Sequence, residues 1–130
     1  MANWLLEKLS DTAISYGSRT ALVSEGQEMR YEELLGYVAG FAAKLTSAGI
    51  GKGDVCAILC DRNLPTVMAV FAIWMIGGVY LPIDPENPDS RNEYVIRRSG
   101  AKVLVNACAI DDYNHEIVNR YAVEKINWEC

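Results

Sequence analysis

The apolar residues of this chain recur at two different periods, which predicts helices alternating with short strands. Spacings of three and four residues indicate amphipathic helices, each closed by a glycine just after its last apolar position. This pattern covers residues 4–16, 31–48, 65–76 and 90–99. The third of these stretches is apolar nearly all round, so we expect that helix to pack on more than one side.

The same period assigns side chains to the predicted core. In the last helix we expect Tyr94, Val95 and Arg98 to face the protein. In the first helix the inward face is predicted to carry Leu5, Leu6, Leu9, Ala13 and Tyr16. Aromatic side chains on apolar faces are interpreted as core residues and not as a base-stacking platform. They are Trp4, Tyr16, Phe41, Phe71, Trp74 and Tyr80.

Short apolar runs between the helices predict buried strands at residues 55–59, 79–83 and 102–106. Near the start of the chain, two strand-like runs flank a turn at residues 25–27, a pattern typical of a hairpin. Pro82 cannot donate a backbone hydrogen bond, which predicts a sheet edge, a strand end or a bulge there. From Ala107 the pattern weakens, and apolar runs return only at 117–121 and 123–126.

The alternation of helices and strands defines the expected fold class. Because each parallel connection needs a crossover, it predicts an α/β fold with a mainly parallel open sheet. Helices should cover both faces of this sheet, with a small β-hairpin near the N-terminus. At 130 residues and 51% apolar composition, the chain can form one domain that buries roughly two thirds of its unfolded surface.

Charge and hydropathy exclude several classes of partner. The chain has 12 basic and 17 acidic residues, for a net charge of −5, and its longest basic run is Arg97-Arg98. This composition argues against a nucleic-acid partner. The longest apolar segment, residues 67–76, is far shorter than the roughly 20 residues of a membrane span. The N-terminus lacks the pattern of a signal peptide, so we expect a soluble, cytoplasmic protein.

Candidate reactive residues are few. The cysteines Cys56, Cys60, Cys108 and Cys130 have no second Cys/His pair at zinc-ligand spacing, and we interpret them as small apolar residues in a reducing compartment. The lone histidine, His115, lies in a polar stretch and is expected at the surface or at a helix start.

Three further segments could be mistaken for ligand sites. Residues 49–53 are rich in glycine and include Lys52, but they follow a helix and enter a strand, the reverse of the order in a phosphate-binding loop. Residues 61–63 (Asp-Arg-Asn) and Asp84 follow strands, where open α/β sheets bind ligands, yet Asx-turns and helix caps are favoured there. We therefore predict no catalytic, cofactor-binding or metal-binding residue in this chain.

Four segments, in order and at matching spacing, carry a resemblance to a known family. MRYEEL at residues 29–34 resembles the first core motif of adenylate-forming enzymes, usually Leu-Thr-Tyr-x-Glu-Leu. IGGVYLPIDP at 76–85 resembles the second core motif of the amino-acid adenylation domains of nonribosomal peptide synthetases. Residues 53–58 and 88–105 are similar to the neighbouring strand and to the helix and strand that follow. The chain differs from this pattern at Met75-Ile76 (usually Lys-Ala), Arg30 (usually Thr or Ser), Asn92 (usually aliphatic) and Arg98 (usually Asp).

The resemblance implies the first subdomain of the large domain of such an enzyme. Residues 1–106 are family-like, and 107–130 form a weakly patterned tail. Members bind ATP with Mg²⁺ and a carboxylate, form an acyl-adenylate with release of pyrophosphate, and transfer the acyl group to a thiol, often phosphopantetheine on a carrier protein. The family's phosphate loop, its nucleotide-binding motifs and its catalytic lysine have no counterpart in this sequence and lie further along in relatives.

The expected function is therefore that of an N-terminal fragment of an amino-acid-adenylating enzyme, inactive alone and structural in role. Its expected partners are the remainder of the adenylation domain or synthetase and, through exposed apolar surface or the tail at residues 111–130, a second copy of itself. Two alternatives remain open: a free-standing interaction module without chemistry, and a small flavodoxin-like binder of a nucleotide or another anion.

Overall fold

A computed structural model describes residues 4–24, 26–59, 64–106 and 124–127 of the chain. Helices and strands alternate along it as the hydrophobic pattern predicts. The helices are α1 (Trp4–Tyr16), α2 (Tyr31–Ser47), α3 (Leu64–Met75) and α4 (Asp89–Ser99). The strands are β1 (Thr20–Ser24), β2 (Gln27–Arg30), β3 (Val55–Leu59), β4 (Val79–Ile83), β5 (Val103–Asn106) and β6 (Glu124–Asn127).

Two sheets form from the described strands. β1 and β2 pair antiparallel as the predicted hairpin, with Gly26 at φ +78° in its turn. The other strands form a parallel sheet in the order β4-β3-β5-β6. The predicted α/β class is confirmed. β6, from the weakly patterned tail, extends this sheet by pairing with β5.

The parallel sheet separates two apolar layers. Along β3, Cys56 and Ile58 face a core that includes residues of α1, α2 and α3, while Ala57 and Leu59 face a core closed by α4. This alternation follows from the two-residue period of a strand. α3 connects β3 to β4 on one face and α4 connects β4 to β5 on the other, which is the predicted two-sided cover.

β4 lies at the edge of the described sheet, which is one of the three positions predicted for Pro82. The Val79 N–H donates to the Asp54 carbonyl at 2.8 Å, so residues 79, 81 and 83 direct their backbone groups towards β3. Tyr80 and Pro82 then face the open side. Because Pro82 has no N–H, this edge offers few donors to another strand.

The predicted inward face of α4 is wrong at two of its three positions. Tyr94 and Arg98 are exposed, Val95 is half-buried, and the helix buries Asn92 and Ile96 instead. The physical reason is a hydrogen bond from the Asn92 side chain to the Asp84 carbonyl, at 2.9 Å, which turns this side of the helix towards the loop after β4.

The buried stripe of α1 is narrower than predicted. Leu6, Leu9 and Ala13 are buried, whereas Leu5 and Tyr16 are exposed. α1 lies mainly against α2, and a single neighbouring helix covers only the central positions of an apolar stripe. Among the predicted core aromatics, Trp4, Tyr16 and Tyr80 are exposed, Phe41 is buried, and Phe71 and Trp74 are half-buried.

Several predictions fall on residues that the structure does not describe. They concern Cys60, Cys108, Cys130, His115, residues 61–63 and the apolar run at 117–121.

Candidate functional site

The amino ends of the parallel strands meet around the glycine-rich segment at residues 49–53. Gly49, at φ +88°, donates its N–H to Thr46 at 3.0 Å, and Ile50 donates to Leu45 at 3.1 Å. These two bonds form a Schellman motif, which satisfies the last carbonyls of α2. The segment is a helix cap and turn, as predicted, and it lies at the edge of the sheet opposite to the one where α/β proteins bind ligands.

Asp54 connects this segment to the start of β5. Its carboxylate accepts a hydrogen bond from the Gly51 N–H at 2.8 Å and forms an ion pair with the Lys102 ammonium at 3.0 Å. Both contacts favour the ionised form, the Gly51 hydrogen bond most, and they lower the pKa of Asp54 below its ordinary value. We name Gly51, Asp54 and Lys102 the amino-edge clip.

The second core motif begins at the same edge. Gly77 adopts φ +77°, which favours glycine, and its carbonyl accepts the Gly53 N–H at 2.9 Å. A Cβ on Gly78 would lie 3.0 Å from the Ile73 side chain and 3.3 Å from the Asp54 carbonyl oxygen. The two glycines therefore serve the close passage of the chain from α3 into β4.

The first core motif starts α2 and contains an unexpected cap. The Arg30 side chain cannot accept a hydrogen bond, but the Glu33 carboxylate accepts one from the Arg30 backbone N–H at 3.2 Å and one from its Nε at 2.9 Å. These bonds lower the pKa of Glu33. Half of a capping box thus survives without the usual Ser or Thr. Sequence reasoning missed this contact, although a glutamate three residues after the cap position is its usual signal.

The carboxyl ends of the strands are the expected ligand edge, and Asp84 lies there after β4. Its carboxylate accepts the Glu86 N–H at 2.9 Å, while its carbonyl accepts the Asn87 N–H at 3.1 Å and the Asn92 side chain at 2.9 Å. Asn92 is only 2% exposed. Asp84 is thus a turn acceptor, as predicted, and it orients the start of α4.

The described residues show few other groups with reactive or ligand-binding character. Cys56 is buried, and burial raises the pKa of its thiol to about 11, so it is protonated and a weak nucleophile at neutral pH. Within the described ranges, no group of three or more His, Cys, Asp or Glu side chains is placed to hold a metal ion. The described helices include none with the length and apolarity to cross a bilayer.

Comparison with known proteins places this architecture in a family. The family profile described as AMP-binding enzyme matches residues 9–127. Bacitracin synthase 1 of Bacillus licheniformis is 40% identical over 101 residues, which are 78% of this chain and 2% of that protein. Dapdiamide synthesis protein DdaD of Enterobacter agglomerans is 33% identical over 103 residues, covering 79% of this chain and 18% of that protein. The chain thus spans less than a fifth of either relative.

Solved structures agree on the fold. A four-domain nonribosomal peptide synthetase, holo-AB3403 bound to AMP and glycine, superposes with a TM-score of 0.81 at 27% identity, over 95% of this chain and 9% of that one. The N-terminal subdomain of NpsA from Klebsiella oxytoca, in complex with 3-hydroxyanthranilyl-AMSN, gives 0.76 at 23% identity, over 92% of this chain and 28% of that one. The predicted resemblance is confirmed: this chain belongs to the AMP-binding enzyme family.

Proposed function

We propose that this chain forms the opening part of the frame of an amino-acid adenylation domain and does no chemistry by itself. The observation that carries the proposal is that the described residues of both core motifs have structural contacts. The glycines and Asp84 of the second motif and Arg30 and Glu33 of the first are occupied by turns, caps and close packing. The reaction itself, attack of a carboxylate on ATP to give an acyl-adenylate and pyrophosphate, then needs polypeptide beyond these residues.

ATP and Mg²⁺ are implied by the family, and the described residues do not fit them. Their acidic groups form no metal-binding cluster, and the glycine-rich segment with Lys52 caps a helix at the wrong edge of the sheet. We therefore assign no step of the reaction to MgATP bound by these residues. Within the proposal, the contribution of the chain is to hold the parallel strands in register.

A chimera tests the frame role. In an adenylation domain of bacitracin synthase 1, the matched 101 residues are replaced by the corresponding residues of this chain. We expect the chimera to retain ATP–pyrophosphate exchange with the recipient's own amino acid, because under this proposal the substituted part supports the site without taking part in the reaction. A folded but inactive chimera would contradict the proposal.

The isolated chain provides the complementary measurement. We expect no pyrophosphate exchange and no calorimetric signal with MgATP. Exchange by the chain alone would refute the frame role, whereas micromolar MgATP binding without exchange would favour the flavodoxin-like alternative. A free-standing interaction module would also show no exchange and no MgATP signal as an isolated chain, but the chimera that contains it would have no pyrophosphate exchange.

We also propose that the isolated chain self-associates through apolar side chains. Large apolar residues are exposed on separate elements, and they include Trp4, Ile14, Val23 and Val79. Strand pairing at the β4 edge is disfavoured by Pro82. Analytical ultracentrifugation should therefore show concentration-dependent association. Trp4→Ser with Val79→Thr should weaken it, and a monomer at all concentrations would contradict the idea.

A further inference from the structure

The exposed face of α4 concentrates positive charge in a chain whose net charge is −5. Arg91 and Arg98 are exposed, and Tyr94 between them is 54% exposed. Positions i, i+3 and i+7 share one face of a helix, so these three residues form a single row. At 1.5 Å per residue, the two arginines are about 10 Å apart along the helix axis. We name Arg91, Tyr94 and Arg98 the α4 arginine row.

The charges of this row are available to a partner. Within the described part of the chain, neither Arg91 nor Arg98 takes part in an ion pair or a side-chain hydrogen bond. Glu93 follows Arg91 by two residues and so lies on the other side of the helix. Arg97 is exposed next to the row but has an interaction of its own, so the proposal does not include it.

We propose that the α4 arginine row docks an acidic helix of a protein partner. Arginine binds carboxylates in a bidentate geometry, and an exposed tyrosine supplies apolar contact at low entropic cost. Two carboxylates seven residues apart on a partner helix would match the spacing of Arg91 and Arg98. The row would then select a partner helix by the charge of its two carboxylates and by the distance between them.

Charge favours a protein over the other anionic partners. A nucleic acid or an anionic membrane presents negative charge over a wide area, which the net charge of −5 repels at long range. A short acidic helix instead meets only the local positive field of α4. This surface goes beyond the proposed frame role, since adenylation does not require a partner helix at this position.

The test uses a labelled helical peptide as the probe. It carries two glutamates seven residues apart with a leucine between them on the same face, and a scrambled peptide of equal composition is the control. Fluorescence anisotropy at low salt measures binding to the whole chain. We expect Arg91→Glu with Arg98→Glu to weaken binding about tenfold or more, whereas Lys8→Glu with Lys52→Glu, an equal charge change elsewhere on the surface, should weaken it about twofold or less.

Two further variants separate the parts of the proposal. A peptide with lysines in place of both glutamates should restore binding to the Arg91→Glu, Arg98→Glu chain. Tyr94→Ala should weaken binding of the acidic peptide without changing its salt dependence, because it removes contact area and no charge. Circular dichroism and the thermal midpoint check folding, and Arg91→Gln with Arg98→Gln replaces the charge reversal if that variant unfolds.

Several outcomes would overturn the proposal. They are equal binding of the scrambled peptide, equal losses in the two double variants, equally tight binding of a DNA duplex, and no binding of the acidic peptide up to about 1 mM. Each would show that the row recognises nothing beyond general negative charge, or nothing at all.

Discussion

Within the residues that the structure describes, the amino edge of the parallel sheet and the loop after β4 at its carboxyl edge are held by different kinds of contact. At the amino edge, three separate connections are held together by contacts between residues far apart in sequence: Gly53 with Gly77, Asp54 with Val79, and Asp54 with Lys102. At the described part of the carboxyl edge, the contacts around Asp84 reach only to Glu86, Asn87 and Asn92.

This difference separates long-range from local stabilisation. Contacts between distant segments fix how β3, β4 and β5 are aligned, so the amino edge determines the register of the sheet. The described contacts around Asp84 shape the loop after β4 and the start of α4. In α/β proteins the carboxyl edge is the one that receives ligands, and a locally built loop there can vary without disturbing the alignment of the strands.

The largest effect is expected at Gly78, on the amino edge. Gly78→Val would place a Cβ 3.0 Å from the Ile73 side chain and 3.3 Å from the Asp54 and Ile73 carbonyl oxygens. Because two of these atoms belong to the backbone, relief requires β4 to move away from α3. We expect the free energy of unfolding to fall by about 3 kcal/mol, measured by urea denaturation. A loss below about 1 kcal/mol would mean that β4 can move away from α3 at little energetic cost, which would contradict a tightly packed amino edge.

The next largest effect is expected at Asn92, on the carboxyl edge. Asn92→Ala removes a buried hydrogen bond and leaves a cavity, which should cost about 2 kcal/mol of unfolding free energy. Asn92→Leu fills the cavity, and the Asp84 carbonyl keeps its bond from Asn87, so this variant should lose about 1 kcal/mol or less. Thermal and urea unfolding of the pair provide the comparison. If leucine is as costly as alanine, the hydrogen bond carries the whole effect.

A glycine away from both edges provides a reference for the first prediction. Gly36 is exposed on α2, and a Cβ added to it meets nothing within 4 Å. Gly36→Ala should therefore raise the free energy of unfolding by about 1 kcal/mol, through the higher helix propensity of alanine. Urea denaturation of this variant alongside Gly78→Val measures an expected rise and an expected fall of the free energy of unfolding in one series. A destabilised Gly36→Ala chain would show that this face of α2 is covered in solution.

The order of the helices and of strands β1 to β5, and their bounds to within one residue, could be read from the sequence because each has a strong local signal. The apolar run 55–59 and the glycines after each helix mark their ends without reference to the rest of the fold. Pro82 restricted its own position to a sheet edge, a strand end or a bulge, since it has no N–H to donate, and the structure places it on an edge strand of the described sheet.

The orientation of side chains at the margins of each helix could not be read in this way. Tyr94 and Asn92 are two residues apart and lie on opposite sides of α4; apolar character favoured Tyr94 for the core, but Asn92 is buried and its side chain binds the Asp84 carbonyl. The amino-edge clip was missed for a similar reason. Asp54 and Lys102 are distant in sequence, and only the pairing of β3 with β5 brings them together.

The smallest effect concerns the charge of the amino-edge clip. The pKa of Asp54 is lowered in the folded chain by the Gly51 N–H and by Lys102, so the ionised carboxylate stabilises the folded state above its unfolded pKa. This contribution is lost as pH falls through the lower folded pKa. Asp54→Asn keeps an acceptor for Gly51 but loses the charge opposite Lys102. The variant should therefore be slightly less stable than the parent at pH 7, and the difference should shrink between about pH 5 and about pH 2.

Urea denaturation across this pH range measures the difference in unfolding free energy, and Lys102→Gln should show the same convergence with the parent if the ion pair is the cause. A difference that stays constant with pH would show that the geometry around Asp54, and not its charge, holds this edge together.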